Sequence, residues 1–277
     1  MDCVVITHEG NKQTNDLIER ACRQRNIHYR PLDADTVDFS NLPRLSPGTL
    51  LYRVTLGSRY TALERHMLHQ EVVTFYTDKT RLANDPYATL LHHEAGIPIP
   101  KTIFGVNRSH LDAYIEYVGG FPLIIKVIGG SHGIGVMRLD SRESLVSVLD
   151  HLDATKEYYI MRQCIQTRSS ARLIVLGESV VDSIEYQTRS GDFRSNVGTP
   201  QVVPKKFSPE LQRTAIRAVQ TLGIETGGVD ILFDDDGHYV AEVNFPCFFA
   251  RSQHTTGTDI AGMMIDYLAK KSKQRYP

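Results

Sequence analysis

Gly228-Val-Asp230-Ile-Leu232, Asp234-Asp-Asp-Gly237 and Tyr239-Val-Ala-Glu242-Val-Asn244 follow one another near the end of the chain. Two apolar runs flank an Asp-Gly turn, which is a strong β-hairpin signal. Such a hairpin can set Asp230 beside Glu242. Residues two apart on a strand share a face, so Asn244 points the same way as Glu242. Two carboxylates and an amide oxygen on one face form a hard-oxygen site suited to Mg²⁺, which binds through one or two carboxylates together with substrate phosphates. Standing alone, an Asp–Glu pair is better read as a solvated acidic hairpin. The remainder of the chain decides between the two.

Upstream, residues 121–128 read Phe-Pro-Leu-Ile-Ile-Lys-Val-Ile, a strand interrupted by Lys126. A lysine in an apolar strand must snorkel to water or meet an anion. Gly129-Gly-Ser-His-Gly-Ile-Gly135 follows at once, then a second strand over 136–139. A glycine-rich loop presents backbone N–H groups without side chains in the way, which makes a phosphate cradle. The glycines run GxxGxG and a strand follows them, so a dinucleotide-binding loop is disfavoured. A P-loop is excluded because no Gly-Lys-Ser/Thr ending is present. His132 within this loop reads as an exposed tip residue.

Working outward, residues 3–7 form a strand, 15–25 a helix and 27–32 a strand, a βαβ pattern for a small α/β domain. A third strand over 49–54 ends in Arg53, with Arg59 close behind. Basic residues past strand ends sit where open α/β sheets bind ligands, so Arg53 and Arg59 are candidate contacts for a substrate carboxylate, against the alternative of ordinary surface arginines. Periodicity places helices over 61–70, 78–94, 109–118, 141–152, 209–222 and 259–269, and strands over 72–76, 158–161, 172–176 and 179–186. The exit of the 158–161 strand, Arg162-Gln-Cys-Ile165, is a candidate hinge whose backbone reads an adenine edge. Domain boundaries are expected near residues 76 and 160, giving units 1–76, 77–160 and 161–277.

Taken together and in order, these stretches resemble the ATP-grasp superfamily, and more closely its RimK-like carboxylate–amine ligases. The resemblance covers about residues 85–268 and rests on Pro122-Leu-Ile-Ile-Lys126, Gly130-Ser-His-Gly-Ile-Gly135, Gly191-Asp-Phe-Arg-Ser-Asn196, Gly228-Val-Asp-Ile-Leu232, Glu242-Val-Asn244 and Thr256-Gly-Thr-Asp-Ile-Ala-Gly262. It implies an ATP-grasp fold of class α/β with α+β modules: a small N-terminal α/β domain, a central lid module and a C-terminal catalytic module. The implied chemistry is phosphoryl transfer from ATP to a carboxylate, then attack of an amine on the acylphosphate to form an amide. Lys126 would hold phosphates, with Gly130, Ser131, Gly133 and Gly135 closing over them. Asp230, Glu242 and Asn244 would hold one or two Mg²⁺, with Mn²⁺ able to substitute. Arg194 would stabilise the transferring charge, with Ser195 and Asn196 beside it. Gln163, Cys164 and Ile165 would take the adenine edge, and Ser170 would lie by the ribose.

Departures from the family pattern are specific. Gln163 and Ser170 stand where acids are usual. The early nucleotide lysine falls on Asp85, with Lys79 six positions upstream as a substitute to consider. Asn244-Phe-Pro-Cys-Phe and Val197-Gly-Thr-Pro replace the usual acceptor-side sequences and suggest an unusual substrate. A nucleotide-binding regulatory protein of the same fold is the rival reading, and a kinase releasing its acylphosphate is a third.

Composition agrees with a globular protein that buries a sizeable core. The 277 residues are 41% hydrophobic with a net charge of −1, so no basic field points to nucleic acid or an anionic membrane. No apolar run approaches the roughly 20 residues of a membrane span, and no basic leader precedes the first strand, so a cytoplasmic protein is expected. Cys3, Cys22, Cys164 and Cys247 lack CxxC spacing and read as free thiols used for packing. The expected partners are a small carboxylate and an amine, with homo-oligomerisation left open.

Overall fold

The computed structural model describes residues 1–80, 87–128, 135–167, 169–187, 201–235 and 237–276. These residues form three sheets. In the first, β1 (Asp2–Thr7) lies between β2 (His28–Asp33) and β3 (Leu50–Arg53), all parallel. Helices α1 (Lys12–Gln24) and α2 (Ser58–Leu68) accompany it. Ile18, Ala21 and Cys22 form the buried stripe of α1, at the spacing expected from sequence. The βαβ reading therefore matches the chain's first fifty residues. The expected strand over 72–76 is instead extended chain that makes isolated bridges, Leu50 to Val73 and Tyr76 to Ile224. Its apolar residues are buried because the N-terminal sheet and the C-terminal part of the chain close on it from two sides.

The second sheet is antiparallel, in the order β4 (Thr102–Ile103), β7 (Tyr159–Gln163), β5 (Leu123–Val127), β6 (Val136–Leu139). Helices α3 (Ala88–Glu94), α4 (Leu111–Tyr117) and α5 (Arg142–Thr155) lie along this part of the chain. Ser141 caps α5, accepting from the Ser144 N–H at 3.2 Å while Ser144 Oγ accepts from the Ser141 N–H at 3.3 Å. Leu145, Leu149 and Leu152 turn inward to Leu123, Ile125 and Met161. This core is separate from the rest of the molecule.

The third sheet runs β10 (Gln201–Pro204), β9 (Ser179–Gln187), β8 (Ser169–Leu176), β11 (Thr226–Phe233), β12 (His238–Asn244), again antiparallel. It is covered by α6 (Pro209–Thr221) and α7 (Ala250–Thr256), while α8 (Ile260–Arg275) packs against α1 and β3 of the N-terminal sheet. Its core is continuous with that of the N-terminal sheet. Bridging bonds hold the union, among them Lys271 Nζ to the Thr74 carbonyl at 3.0 Å and Arg25 Nε to Asp266 Oδ1 at 2.7 Å. The molecule is thus a lone central unit set against a fused N- and C-terminal body. Among the described residues no helix is long and apolar enough to cross a membrane.

Candidate active site

Strands β11 and β12 pair as their sequence implies. Asp230 lies opposite Glu242 and Gly228 opposite Asn244, so both carboxylates and the amide occupy one face. The register then shifts by one, with Ile231 opposite Val240. Ala241 is the extra residue of this bulge, which twists β12 and aims Glu242. Gly228 is required here because a Cβ would stand 2.7 Å from the Cys247 carbonyl oxygen. Asn244 Nδ2 donates to Asp230 Oδ2 at 3.1 Å, which leaves the amide oxygen on the other side of the group.

Three cations surround this face. Arg172, opposite Asp230 on β8, grips its carboxylate with two bonds, Nε to Oδ1 at 2.8 Å and Nη2 to Oδ2 at 2.7 Å. Burial works against the arginine's charge, yet Asp230 outweighs it and raises the Arg172 pKa. Lys126 reaches across from β5 and donates to Glu242 Oε2 at 2.7 Å. Arg162, at the end of β7, donates through Nη1 to the bulge carbonyl of Ala241 at 3.1 Å. Glu242 feels burial, which favours its neutral form, but Lys126 above all, then Arg172 and Arg162, hold its pKa below the ordinary value. Protein walls enclose the Glu242 carboxylate, although solvent still reaches nearly half of the side chain, 46%. The site is a cleft between the central and C-terminal sheets.

The donor chemistry suits a hard cation. Among the described residues no group of three or more His, Cys, Asp or Glu side chains gathers as a metal cage. Two carboxylates and one amide oxygen are too few ligands to saturate Mg²⁺, which leaves positions for phosphate oxygens and water. Lys126 and Arg172 neutralise the two carboxylates. Those two cations are also what a triphosphate needs.

Other expected site residues fall out as follows. Gly135 adopts φ +83° and its carbonyl accepts from the Val127 N–H at 2.8 Å, closing the β5–β6 hairpin. A side chain there would be strained and would stand 3.2 Å from Val127 Cβ. Gln163 ends β7, where its N–H donates to the Lys101 carbonyl at 2.9 Å and its side-chain oxygen accepts from the Lys101 N–H at 3.3 Å. Cys164 is half-buried and Ile165 buried beside it. Ser170 is buried on the same face as Arg172, two residues before it on β8. Gly130, Ser131, Gly133, Arg194, Ser195, Asn196 and Asp85 lie outside the described residues.

Arg53 corrects the sequence reading. It is wholly buried, ion-paired through Nε to Glu64 Oε2 at 2.8 Å, bonded through Nη1 to the Thr55 carbonyl at 2.5 Å, and 5.8 Å from the Phe245 ring centre. Its place at the strand end faces the seam with the C-terminal body, not a solvent cleft. Arg59 is exposed and binds Asp35 at 3.0 Å on the surface of the N-terminal layer. Lys79 is engaged by the backbone of the N-terminal unit. Its ammonium donates to the Val72 carbonyl at 3.0 Å, and burial lowers its pKa, with Arg275 and Lys271 adding to the effect. Cys247 is buried, donating its N–H to Tyr52 Oη at 3.2 Å, and burial raises its thiol pKa, as befits a packing residue.

The sequence reading missed Arg172 and Arg162. Arg172 carried a signal, since it shares a face with Ser170, but its partner lies 58 positions away on a strand whose neighbour was unknown.

Against this geometry, the RimK-like ATP-grasp domain family matches residues 83–268. The chain belongs to that family. Probable alpha-L-glutamate ligases share its length as well. That of Ectopseudomonas mendocina (strain ymp) is 31% identical over 259 residues, covering 91% of this chain and 83% of the relative. That of Serratia proteamaculans (strain 568) is 32% identical over 253 residues, covering 89% and 81%. Solved structures share the fold. The ATP-grasp ligase PsnB, complexed with a phosphomimetic variant of its minimal precursor, Mg and ADP, superposes with a TM-score of 0.76 at 18% identity, 98% of each chain covered. The D-cycloserine synthetase DcsG gives 0.75 at 15% identity, covering 98% of this chain and 100% of that one. This RimK-like protein is an ATP-dependent carboxylate–amine ligase, an enzyme forming C–N bonds. ATP and Mg²⁺ are the family's nucleotide and metal.

Proposed function

We propose that this ligase activates the carboxylate of an amino acid or peptide as an acylphosphate and joins it to an amine. The observation that carries the reading is the convergence of Asp230, Glu242 and Asn244 on one face with Lys126 reaching over them from the other sheet. Asp230, Glu242 and Asn244 would hold one or two Mg²⁺ ions, which neutralise charge on the phosphates. Lys126 would move from Glu242 to a phosphate oxygen, and Arg172 is placed to do the same from Asp230. By resemblance, Arg194 would steady the charge on the transferring phosphoryl group and on the tetrahedral intermediate, with Ser195 and Asn196 beside it. The loop of Gly130, Ser131 and Gly133 would exclude water that otherwise hydrolyses the acylphosphate. The unit 77–160 would act as the lid, against 161–277 as the catalytic module, with 1–76 as the small N-terminal α/β domain that precedes them. Because several relatives are named glutamate ligases, glutamate is the first substrate to try.

Hydroxylamine tests the intermediate. With ATP, Mg²⁺, a competent carboxylate and no amine substrate, an acylphosphate route yields ADP and a hydroxamate. Release of AMP in place of ADP, or ADP without any trapped hydroxamate, would sink the acylphosphate.

A further inference from the structure

Arg162 is a buried cation without an acid. Only 6% of it is exposed. Nε donates to Thr102 Oγ1 at 3.2 Å, Nη1 to the Ala241 carbonyl at 3.1 Å and Nη2 to Thr89 Oγ1 at 3.2 Å. All three acceptors are neutral. No carboxylate among the described residues forms an ion pair with it. Buried arginines ordinarily have such a partner, because an uncompensated charge in a low-dielectric site is expensive. Burial lowers its pKa to about 10, with only the charge of Glu242 acting in the opposite direction.

Among the described residues the charges of the cleft do not cancel. Lys126 matches Glu242 and Arg172 matches Asp230, both by direct ion pairs. Arg162 is the surplus among the described residues. It touches the backbone of the residue preceding Glu242, at the bulge that aims the carboxylate. Satisfying a bulge carbonyl needs a donor but no net charge; an amide or hydroxyl would serve. A permanent positive charge at that point makes sense if an anion completes the site.

We propose that Arg162 is a positioning residue for the triphosphate, its unneutralised charge held beneath the Glu242 end of β12 so that nucleotide affinity rises with each phosphate. The inference rests on the use of ATP argued above. It acts through the field of the cleft and through the position of Ala241, without contact to the nucleotide.

Thr89 offers a test that leaves the arginine in place. It is half-buried on α3, and its hydroxyl faces the guanidinium. Thr89→Asp puts a neutralising carboxylate there, and Thr89→Asn is the uncharged control. Affinities for ATP, ADP and AMP are measured by calorimetry at fixed Mg²⁺, with Arg162→Gln alongside. Thr89→Asp and Arg162→Gln should weaken ATP about tenfold, ADP less, and AMP less than about twofold, while Thr89→Asn stays near wild type. A structural role alone would weaken the three nucleotides equally. Equal losses, or wild-type ATP affinity in whichever of the two charge-removing variants folds, would overturn the inference. Failure of the wild-type protein to bind ATP would instead defeat the proposed function.

Discussion

Lys126 Nζ and Glu242 Oε2, 116 residues apart in sequence, are joined by a 2.7 Å hydrogen bond that spans the cleft from β5 to β12. On the function proposed above, the lysine would bind phosphate and the carboxylate metal, and here the two hold each other. On that reading a metal and the phosphates would give each a stronger partner. The bond is therefore a placeholder, and its loss should matter little to folding because water reaches the glutamate.

Lys126→Met should accordingly leave stability within about 1 kcal/mol of wild type, as for other solvent-accessible pairs. Its affinity for ATP should fall by roughly an order of magnitude or more, since a charge-assisted phosphate contact is lost. Urea denaturation and calorimetry read the two effects separately. A large loss of stability with unchanged ATP affinity would show that Lys126 is a structural residue.

Arg172 and Asp230 form a different kind of pair, with side chains only 16% and 12% exposed and two bonds between them. Removing one partner strands a buried charge, so Arg172→Ala should cost roughly 3–5 kcal/mol, whereas replacing both by apolar residues should recover much of it. The recovered double variant Arg172→Met/Asp230→Leu should fold and still be inactive, having lost a metal ligand. Denaturation midpoints and ADP formation check both halves, and a double variant with normal turnover would remove Asp230 from the site.

Arg53 and Glu64 are buried without reaching the cleft, and Tyr76 Oη donates to the same Glu64 oxygen at 3.0 Å. One arginine nitrogen, Nη2, is buried with no hydrogen-bond partner among the described residues. Glu64→Gln should therefore destabilise the fold strongly by leaving the guanidinium unpaired. A folded Arg53→Met/Glu64→Leu variant should keep kcat and KM close to wild type. A rise in KM for the carboxylate substrate in that variant would restore Arg53 as a substrate contact.

His92 ties α3 to α6, its Nε2–H donating to the Ala218 carbonyl at 2.9 Å. Burial lowers its pKa from 6.5, the Ala218 bond opposes this, and Arg162 adds to the lowering. A base with a depressed folded pKa is more easily protonated when unfolded. Its contribution is complete above the unfolded value near 6.5 and is lost as pH falls below it toward the folded pKa. Stability should thus drop as pH falls below about 6.5, and His92→Gln, which keeps a donor, should flatten that slope. Urea curves at several pH values decide it; identical slopes would show that other groups set the acid sensitivity.

Much of this site is legible in the sequence because its signals are local. The Asp-Gly turn and the alternation around Glu242 and Asn244 are properties of a dozen neighbouring residues, and the hairpin forms as they imply. The bulge at Ala241 is not legible, since it answers to Arg162 on another sheet. Arg172 shares a face with Ser170, but its partner Asp230 is hidden without the β8–β11 pairing. The segment 72–76 misleads for a related reason: a run of Val, Thr, Phe and Tyr describes buried extended chain whether or not a ladder forms beside it. Helix α7 escapes notice because Ala-Arg-Ser-Gln-His-Thr-Thr has no apolar period, and its place is fixed by packing on β9. Arg53 fails as a substrate residue because the strand end it occupies is covered by the C-terminal body, a fact of assembly beyond the reach of a βαβ pattern.

The most direct measurement is nucleotide turnover with Mg²⁺ and ATP against pools of carboxylates and amines, glutamate first, with the mass of each product recorded. ADP should appear only when a competent carboxylate and amine are both present, with a product lighter by one water than their sum. Glu242→Gln and Arg194→Ala should abolish it while remaining folded. ADP release that needs no amine and yields no amide, or normal turnover in either variant, would contradict a ligase built on this hairpin.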